Sequence, residues 1–221
     1  MSKIIIRNEE VHNDASSPAV IAGDKSFVNY ARACTMAVEL EDPQARVADL
    51  TQAFVTHWRM PDQRFLQTQQ DASYASYLLY LSEGADLCIV LDVFMAKQAA
   101  VAHNHLCWCV FSCLEGMERE YLFDVPDDLS AAPVEVMARL REPGQVTIAH
   151  AAPGAFHQVE CAQGDMAISL HIYGADIGRL ERQMWNKAEA RYVPFRSDYS
   201  NSLLGLPPYL STKDIFRDAS L

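Results

Sequence analysis

Several things are missing from this 221-residue chain, and each absence narrows the reading. No window of 18 or more apolar residues occurs, so no membrane-spanning helix is expected. Near the N-terminus only Ile4-Ile5-Ile6 is apolar before Arg7, too short for a secretory h-region, and the expectation is a cytoplasmic protein. Positive charge is scarce. Eighteen Lys and Arg stand against 29 Asp and Glu, a formal charge of −11. Such a surface repels nucleic acid and anionic membranes, so neither is an expected partner. An anionic substrate would need its own local cation. No GxGxxG, Walker A, HExxH or GxSxG motif is present, which removes the usual nucleotide, zincin and serine-hydrolase signatures. There is no CxxC pair among the six cysteines, which are read as reduced and mostly buried thiols. No internal repeat or low-complexity tract is found.

What is present falls into two parts. Residues 1–24 read as irregular and polar. From Ser26 to about Leu40, Phe27, Tyr30, Ala31, Cys34, Ala37 and Val38 recur at spacings that mark an amphipathic helix. Glu41-Asp42-Pro43 breaks it, and a second helix is expected over about Pro43–Trp58, ended by Met60-Pro61-Asp62. Beyond about Ser73 the pattern becomes that of strands: Ser76–Leu81, Leu87–Phe94, His105–Leu114, Arg119–Phe123, Val146–Ala149 and Met166–Ile172. Turns are expected at Glu115-Gly116, Pro126-Asp127-Asp128, Glu142-Pro143-Gly144, Pro153-Gly154 and Gln163-Gly164-Asp165. Short strands separated by regular turns predict an antiparallel barrel or sandwich. The expected division is 1–72, an irregular segment and helices packed on the barrel, and 73–221, the barrel with a tail from Pro194 that wraps it as loop and short strand.

The chemistry centres on His103-Asn104-His105. On a strand, residues two apart share a face, so the two imidazoles could bind one metal ion together. His157, just after Pro153-Gly154, is the candidate third ligand. Cys107 and Cys109 continue the same alternation, which leaves a His/His/Cys zinc site as a rival reading. Three imidazoles with open positions suit iron as well as zinc. In Ser169-Leu-His171-Ile-Tyr173 the polar groups alternate with apolar ones. A neutral imidazole accepts from one hydroxyl and donates to the other, so a buried Ser–His–Tyr row can satisfy itself; a solvated polar strand face is the alternative. His12, His57 and His150 are read as non-ligands.

HxH, then PGxxHxVE, then SLHIYGADIG resembles the cysteine-dioxygenase-type thiol dioxygenases of the cupin superfamily, and most of all the bacterial branch that includes 3-mercaptopropionate dioxygenases. The similarity runs from about Tyr74 to Ser202, and Pro194-Phe-Arg-Ser-Asp-Tyr-Ser-Asn201 resembles the family's ending. The resemblance implies a mainly β fold, a cupin double-stranded β-helix (jelly-roll barrel) with about two N-terminal α-helices. It implies an Fe(II) cofactor on His103, His105 and His157. It implies that Ser169, His171 and Tyr173 form an outer hydrogen-bonded row, and that Arg182 holds the substrate carboxylate; Arg179, three residues earlier, is read as a solvated helix or loop charge and only a weaker candidate for that task. A thioether cross-link between Cys109 and Tyr173 falls where some members carry one. The implied partners are a small thiol and O2, and the implied product is a sulfinate. The chain departs from the family pattern at Met95-Ala-Lys97-Gln-Ala-Ala, at Asn104, at Pro153-Gly154-Ala155 and at Tyr74-Ala-Ser76. The last of these replaces an arginine that holds carboxylate in the cysteine-specific branch, and argues against cysteine as the preferred substrate. Two rivals stand beside this reading: a zinc or manganese cupin acting as isomerase or hydrolase, and a non-catalytic small-ligand-binding cupin.

Overall fold

The computed structural model describes residues 27–69, 72–126, 128–149 and 151–216. The segment read as irregular, Ser26, His12, Asp127 and His150 therefore lie outside the described residues.

Two helices come first, α1 (Phe27–Ala37) and α2 (Pro43–Val55). Both sit inside the expected spans and end about three residues early. Asp42 caps α2 by accepting a hydrogen bond from the Ala45 amide, and Pro43 occupies the first turn, where a missing N–H costs nothing. Their inner faces meet in an aromatic cluster. Tyr30 stacks on Phe54 at 4.1 Å between centroids, and Trp58 packs at 5.1 Å from Phe54. Each such buried side chain contributes about 1.5–3 kcal/mol relative to an exposed one.

Eight strands follow: β1 (Ala75–Leu81), β2 (Cys88–Met95), β3 (Cys109–Asp124), β4 (Val134–Arg141), β5 (Val146–Ala149), β6 (Phe156–Tyr173), β7 (Arg182–Asn186) and β8 (Arg191–Phe195). All named pairings are antiparallel. Strands β3 and β6 are long and pair along most of their length. Their ends nearer Tyr173 complete a layer with β1, β2 and β5. Their other halves pair with β4 on one side. On the other side, a bridge from His103 to both His157 and Met184 joins β6 to the β7–β8 hairpin. Two long strands shared by two layers make the mainly β double-stranded β-helix expected, preceded by the two helices.

Alternation along the strands sorts the side chains. Ile89, Leu91, Val93, Ile168, Leu170 and Ile172 face α1 and α2 in the main core. The residues between them face the barrel interior: Val90, Asp92, Ser169, His171 and Tyr173.

Two expected turns are something else. Glu115-Gly116 lies inside β3, where the register shifts, and Gly116 has φ 72°. A Cβ there would stand 2.2 Å from the Met166 carbonyl oxygen, so glycine alone fits. The bulge flips the parity of the strand. Cys109, Phe111 and Cys113 pair with the inward residues Tyr173, His171 and Ser169, and beyond the bulge Glu118, Glu120 and Leu122 pair with Cys161, Val159 and His157. Gln163-Gly164-Asp165 likewise lies within β6, with Gly164 at φ 87°. Strands β4, β7 and β8 fall outside the expected set.

The tail beyond β8 carries two short helices instead of loop and strand alone: α3 (Asn201–Leu204) lies against β1, and α4 (Thr212–Phe216) against α1, where Arg32 donates to the Ile215 carbonyl at 2.7 Å. Asn201 accepts from the Leu78 amide at 2.7 Å and donates to the Leu78 carbonyl, so it pairs this edge strand. Five of the six thiols are free and buried, and Cys161 is free and half-buried. Among the described residues no helix is long and apolar enough to cross a membrane.

Candidate metal centre

His103 and His105 share a site, but not by strand alternation. The segment that carries them is irregular, and β3 begins only at Cys109. Leu106, at φ 58°, turns the chain out of extended geometry between His105 and the strand. His103 is instead placed by reciprocal backbone hydrogen bonds with His157, 2.9 Å each way. Asn104 fastens the same segment. Its amide group donates to the Pro153 carbonyl at 2.9 Å and accepts from the Gln183 amide at 3.0 Å. A residue read as a departure from the family pattern is thus a clamp between the histidine segment, the Pro153 turn and β7.

The three imidazoles converge. One nitrogen from each of His103, His105 and His157 lies within 4.8 Å of the others, and all three residues are buried. This is the one such group of three among the described residues. Two rings have their outer nitrogen engaged: His103 Nδ1 donates to the Val101 carbonyl at 2.8 Å, and His157 Nδ1 to Glu120 Oε1 at 2.9 Å. Those partners set the tautomer and turn the Nε2 lone pairs inward. His105 Nε2 stands 2.9 Å from His157 Nε2. Burial, then the neighbouring His157, pushes the pKa of both His103 and His105 well below the ordinary histidine range. Neutral imidazoles are the ligating form, so the donor set fits a divalent metal ion.

Cys107 and Cys109 do not join this group. Both are buried in a separate apolar cluster with Cys88, Val90, Phe111 and Tyr173. Burial pushes the Cys107 thiol up to about 11, away from the thiolate that zinc would need. The His/His/Cys reading is corrected on these grounds: the turn at Leu106 breaks the shared face.

The row on β6 is buried and self-satisfied. Ser169 Oγ is 2.9 Å from His171 Nε2, and Tyr173 OH is 3.1 Å from His171 Nδ1. Phe111 stacks on the His171 ring at 5.2 Å. Burial, then His157, pushes His171 down to about 3, so it is neutral and can accept at one nitrogen while donating at the other. Burial, then Cys109, raises Tyr173 well above its ordinary value, and the phenol keeps its proton. The Tyr173 ring meets the His105 ring edge-on at 5.2 Å.

Arg182 begins β7 and is 2% exposed. Its Nη2 donates to Ser197 Oγ at 3.0 Å and its guanidinium lies 4.5 Å over the Phe195 ring. It lines the same cavity as the three histidines, Tyr173, Tyr74 and Ser76. A second pocket, lined by Val101, Phe195 and Ser200, adjoins that cavity and shares Tyr74, Ser76, Ala100, His103 and Ser197 with it. Arg179 is exposed and paired with Asp176 at 3.8 Å, and His57 is exposed on the helical side.

Three acidic residues in the interior went unread in the sequence. Glu120 receives His157 and is held by Arg139 and Arg141, at 2.7 and 2.5 Å. Burial acts to raise its pKa, but the His157 hydrogen bond and the two guanidiniums outweigh it and hold the carboxyl well below its usual range. Asp92 and Glu118 are buried without such support. The signals were faint: a lone acid inside Leu87–Phe94, and Glu-x-Glu two residues past Gly116.

No protein-family model matches the chain. Solved structures with the same type of barrel do resemble it. A cupin-family protein with a double-stranded β-helix fold from Methanocaldococcus jannaschii is 10% identical, covering 50% of this chain and 88% of its own, with a TM-score of 0.37. A cupin 2 conserved-barrel protein from Rhodopseudomonas palustris is 13% identical over 55% of this chain and 75% of its own, with a TM-score of 0.39. An uncharacterised double-stranded β-helix protein from Klebsiella pneumoniae is 12% identical over 62% of this chain and 97% of its own, also at 0.39.

Proposed function

We propose that this chain is an iron-dependent thiol dioxygenase, converting a small thiol carboxylate of the 3-mercaptopropionate or cysteine class and O2 to the corresponding sulfinate. The observation that carries the reading is the pairing of two buried sets: three buried imidazoles converging on one centre, and a Ser169–His171–Tyr173 chain whose phenol lies against one of them. His103, His105 and His157 would hold Fe(II), leaving open positions for small ligands. When bound, the iron supplies the redox chemistry that transfers both atoms of O2 to the substrate sulfur. The overall change balances without an external reductant, because RSH plus O2 gives RSO2H: sulfur loses four electrons and O2 gains four.

The remaining roles belong to the chain. Arg182 receives the substrate carboxylate as a fixed cation, the local positive charge that an acidic protein needs for an anionic substrate. The Phe195 ring backs the guanidinium, and Phe94 and Val159 give the cavity an apolar lining. His171 orients the Tyr173 hydroxyl, and Ser169 fixes the other side of His171, so that a proton donor stands at a set place beside the substrate. Glu120 orients His157 from behind.

The test is oxygen uptake and sulfinate formation by the iron-loaded protein with 3-mercaptopropionate, cysteine, mercaptosuccinate and cysteamine. His105→Ala is expected to lose bound iron and all thiol-dependent uptake. Arg182→Ala is expected to raise KM for the carboxylate thiols by about tenfold or more while leaving cysteamine little changed. Stoichiometric iron without thiol-dependent uptake would refute the reading and favour a different metal enzyme or a binding module on this scaffold.

A further inference from the structure

Asp92 is left over once the histidines and the Ser169–His171–Tyr173 row are accounted for. It is 6% exposed on β2, and its Oδ1 is shut off from water with no hydrogen-bond partner. Its other oxygen lies 3.6 Å from His171 Nε2. Among the described residues it is the one carboxylate paired with that ring. In the register Asp92 stands opposite Ser169 on β6 and Ser76 on β1. A buried carboxylate oxygen without a donor is expensive, and a proton delivered to the carboxyl removes the cost.

The carboxylate decides which way the row points. A neutral imidazole carries one N–H, and a negative charge beside Nε2 draws it to that nitrogen. Ser169 Oγ, 2.9 Å from Nε2, accepts the same N–H and holds the ring in place. Nδ1 is then the bare acceptor, so the Tyr173 hydroxyl donates to it across 3.1 Å. The Tyr173 oxygen keeps its lone pairs for whatever enters the cavity that Tyr173 lines with the three histidines. At rest, the cavity end of the row is a proton acceptor.

A thiol needs such an acceptor. It binds a metal as thiolate, so its proton has to leave for another group. In the relay that the row allows, the S–H bond breaks with its electron pair left on sulfur, and the proton joins the Tyr173 oxygen. The Tyr173 proton moves to His171 Nδ1, and the Nε2 proton moves to Asp92, so His171 ends neutral as it began. The 3.6 Å gap to Asp92 is longer than a hydrogen bond, and a shift of about half an ångström closes it. The relay leaves the Tyr173 O–H turned to the substrate as the donor. The proton returns by the same path when the product leaves, and the overall change stays RSH plus O2 to RSO2H.

We propose that Asp92 is the terminal acceptor for the proton of the substrate thiol, taken up through Tyr173 and His171. This rests on the thiol dioxygenase reading for the identity of the substrate, but not for the direction of the row. Burial pushes the Asp92 carboxyl up to about 7, against the pull of Ser76 on β1 and Arg182 on β7. Its charge in turn bears on Glu118 and Cys109 of β3, on Tyr173 of β6 and on Tyr74 just before β1. Such a carboxyl is ionised and ready to accept at about pH 8, and mostly holds its own proton at about pH 6.

The test counts protons. Binding of 3-mercaptopropionate to the iron-loaded protein is followed anaerobically by calorimetry in buffers of different ionisation enthalpy, which gives the number of protons released. The wild type is expected to release close to none at about pH 8 and about one at about pH 6. Asp92→Asn is expected to release about one at both. Glu118→Gln leaves Asp92 in place and is expected to keep the wild-type difference. A wild type that releases about one proton at both pH values overturns the proposal, a result that needs no variant to fold. Retention of the proton by Asp92→Asn at the higher pH overturns it too, as does its loss in Glu118→Gln. If the proton is retained but no thiol yields sulfinate, the acceptor stands and thiol oxidation falls. If sulfinate forms while the proton goes to the buffer at both pH values, the reverse holds.

Discussion

Glu118 offers a sharp test of how the barrel interior is built. It is fully buried on β3, and neither carboxylate oxygen has a hydrogen-bond partner. Burial is the largest influence on it and pushes the carboxyl up to about 7 from an ordinary 4.5; Asp92 and Glu120 add to the rise, while the Ser169 hydroxyl and Arg141 oppose it. Cys113 and Cys161 also face it. A carboxyl raised on folding binds its proton more tightly in the native state than in the unfolded chain. Stability is therefore unaffected below about pH 4.5, falls as pH rises toward 7, and stays reduced above it. A gap of about 2.5 pH units corresponds to on the order of 3 kcal/mol.

Glu118→Gln removes the charge and keeps the shape. The amide is left as poorly partnered as the acid, and that cost is the same at every pH. The informative quantity is the difference between the two proteins as pH changes. Urea unfolding of both, without metal, isolates it from the pH dependence of metal binding. Between about pH 5 and pH 8 the variant should gain on the order of 2–3 kcal/mol relative to the wild type. Asp92 titrates in both proteins, so its own contribution cancels apart from its coupling to Glu118. Parallel stability curves over that range would refute the reasoning, and would mean that water or a partner reaches Glu118.

Two further outcomes follow from the same interior. Glu120→Gln should weaken metal binding by about 10–100-fold, because His157 loses the carboxylate that fixes its tautomer; competition with a chelator measures this, and unchanged affinity would remove Glu120 from that role. Cys109 and Tyr173 are direct cross-strand neighbours and both are buried, so a thioether between sulfur and the ring carbon is reachable, with the two displaced hydrogens passing to O2 as oxidant. A denaturing-gel doublet that collapses in Cys109→Ser is the expected sign, and a single unmodified intact mass after aerobic incubation with iron would exclude the bond.

What was legible in the sequence was whatever depends on local period. The Phe27, Tyr30, Cys34 spacing marks α1, and Asp42-Pro43 marks the start of α2. Ser169, His171 and Tyr173 alternate with Leu170 and Ile172, and the barrel honours that alternation without a break. What was not legible depends on an interruption of period. Gly116 read as a turn because glycine after glutamate usually is one, whereas here it keeps β3 continuous and exchanges its faces. Glu118 and Glu120 reach the interior only because of that exchange, so no count of alternating residues from His105 onward could have placed them.

The histidine pair shows the same limit from the other side. HxH suggests a metal site because residues two apart on a strand point together, and the two imidazoles do point together, yet the premise fails: Leu106 breaks the extended chain and β3 starts later. The convergence comes from contacts distant in sequence. His103 is held by the backbone of His157, and Asn104 ties the segment to Pro153 and Gln183. Cys107 and Cys109 would have joined the site had alternation been the cause, and the departure at Asn104 would have been neutral. Both observations run the other way. The position of the site is therefore a property of how β6 and β7 grip residues 102–104, and substitutions at Asn104 should disturb the metal centre more than substitutions along β3 at the same distance in sequence.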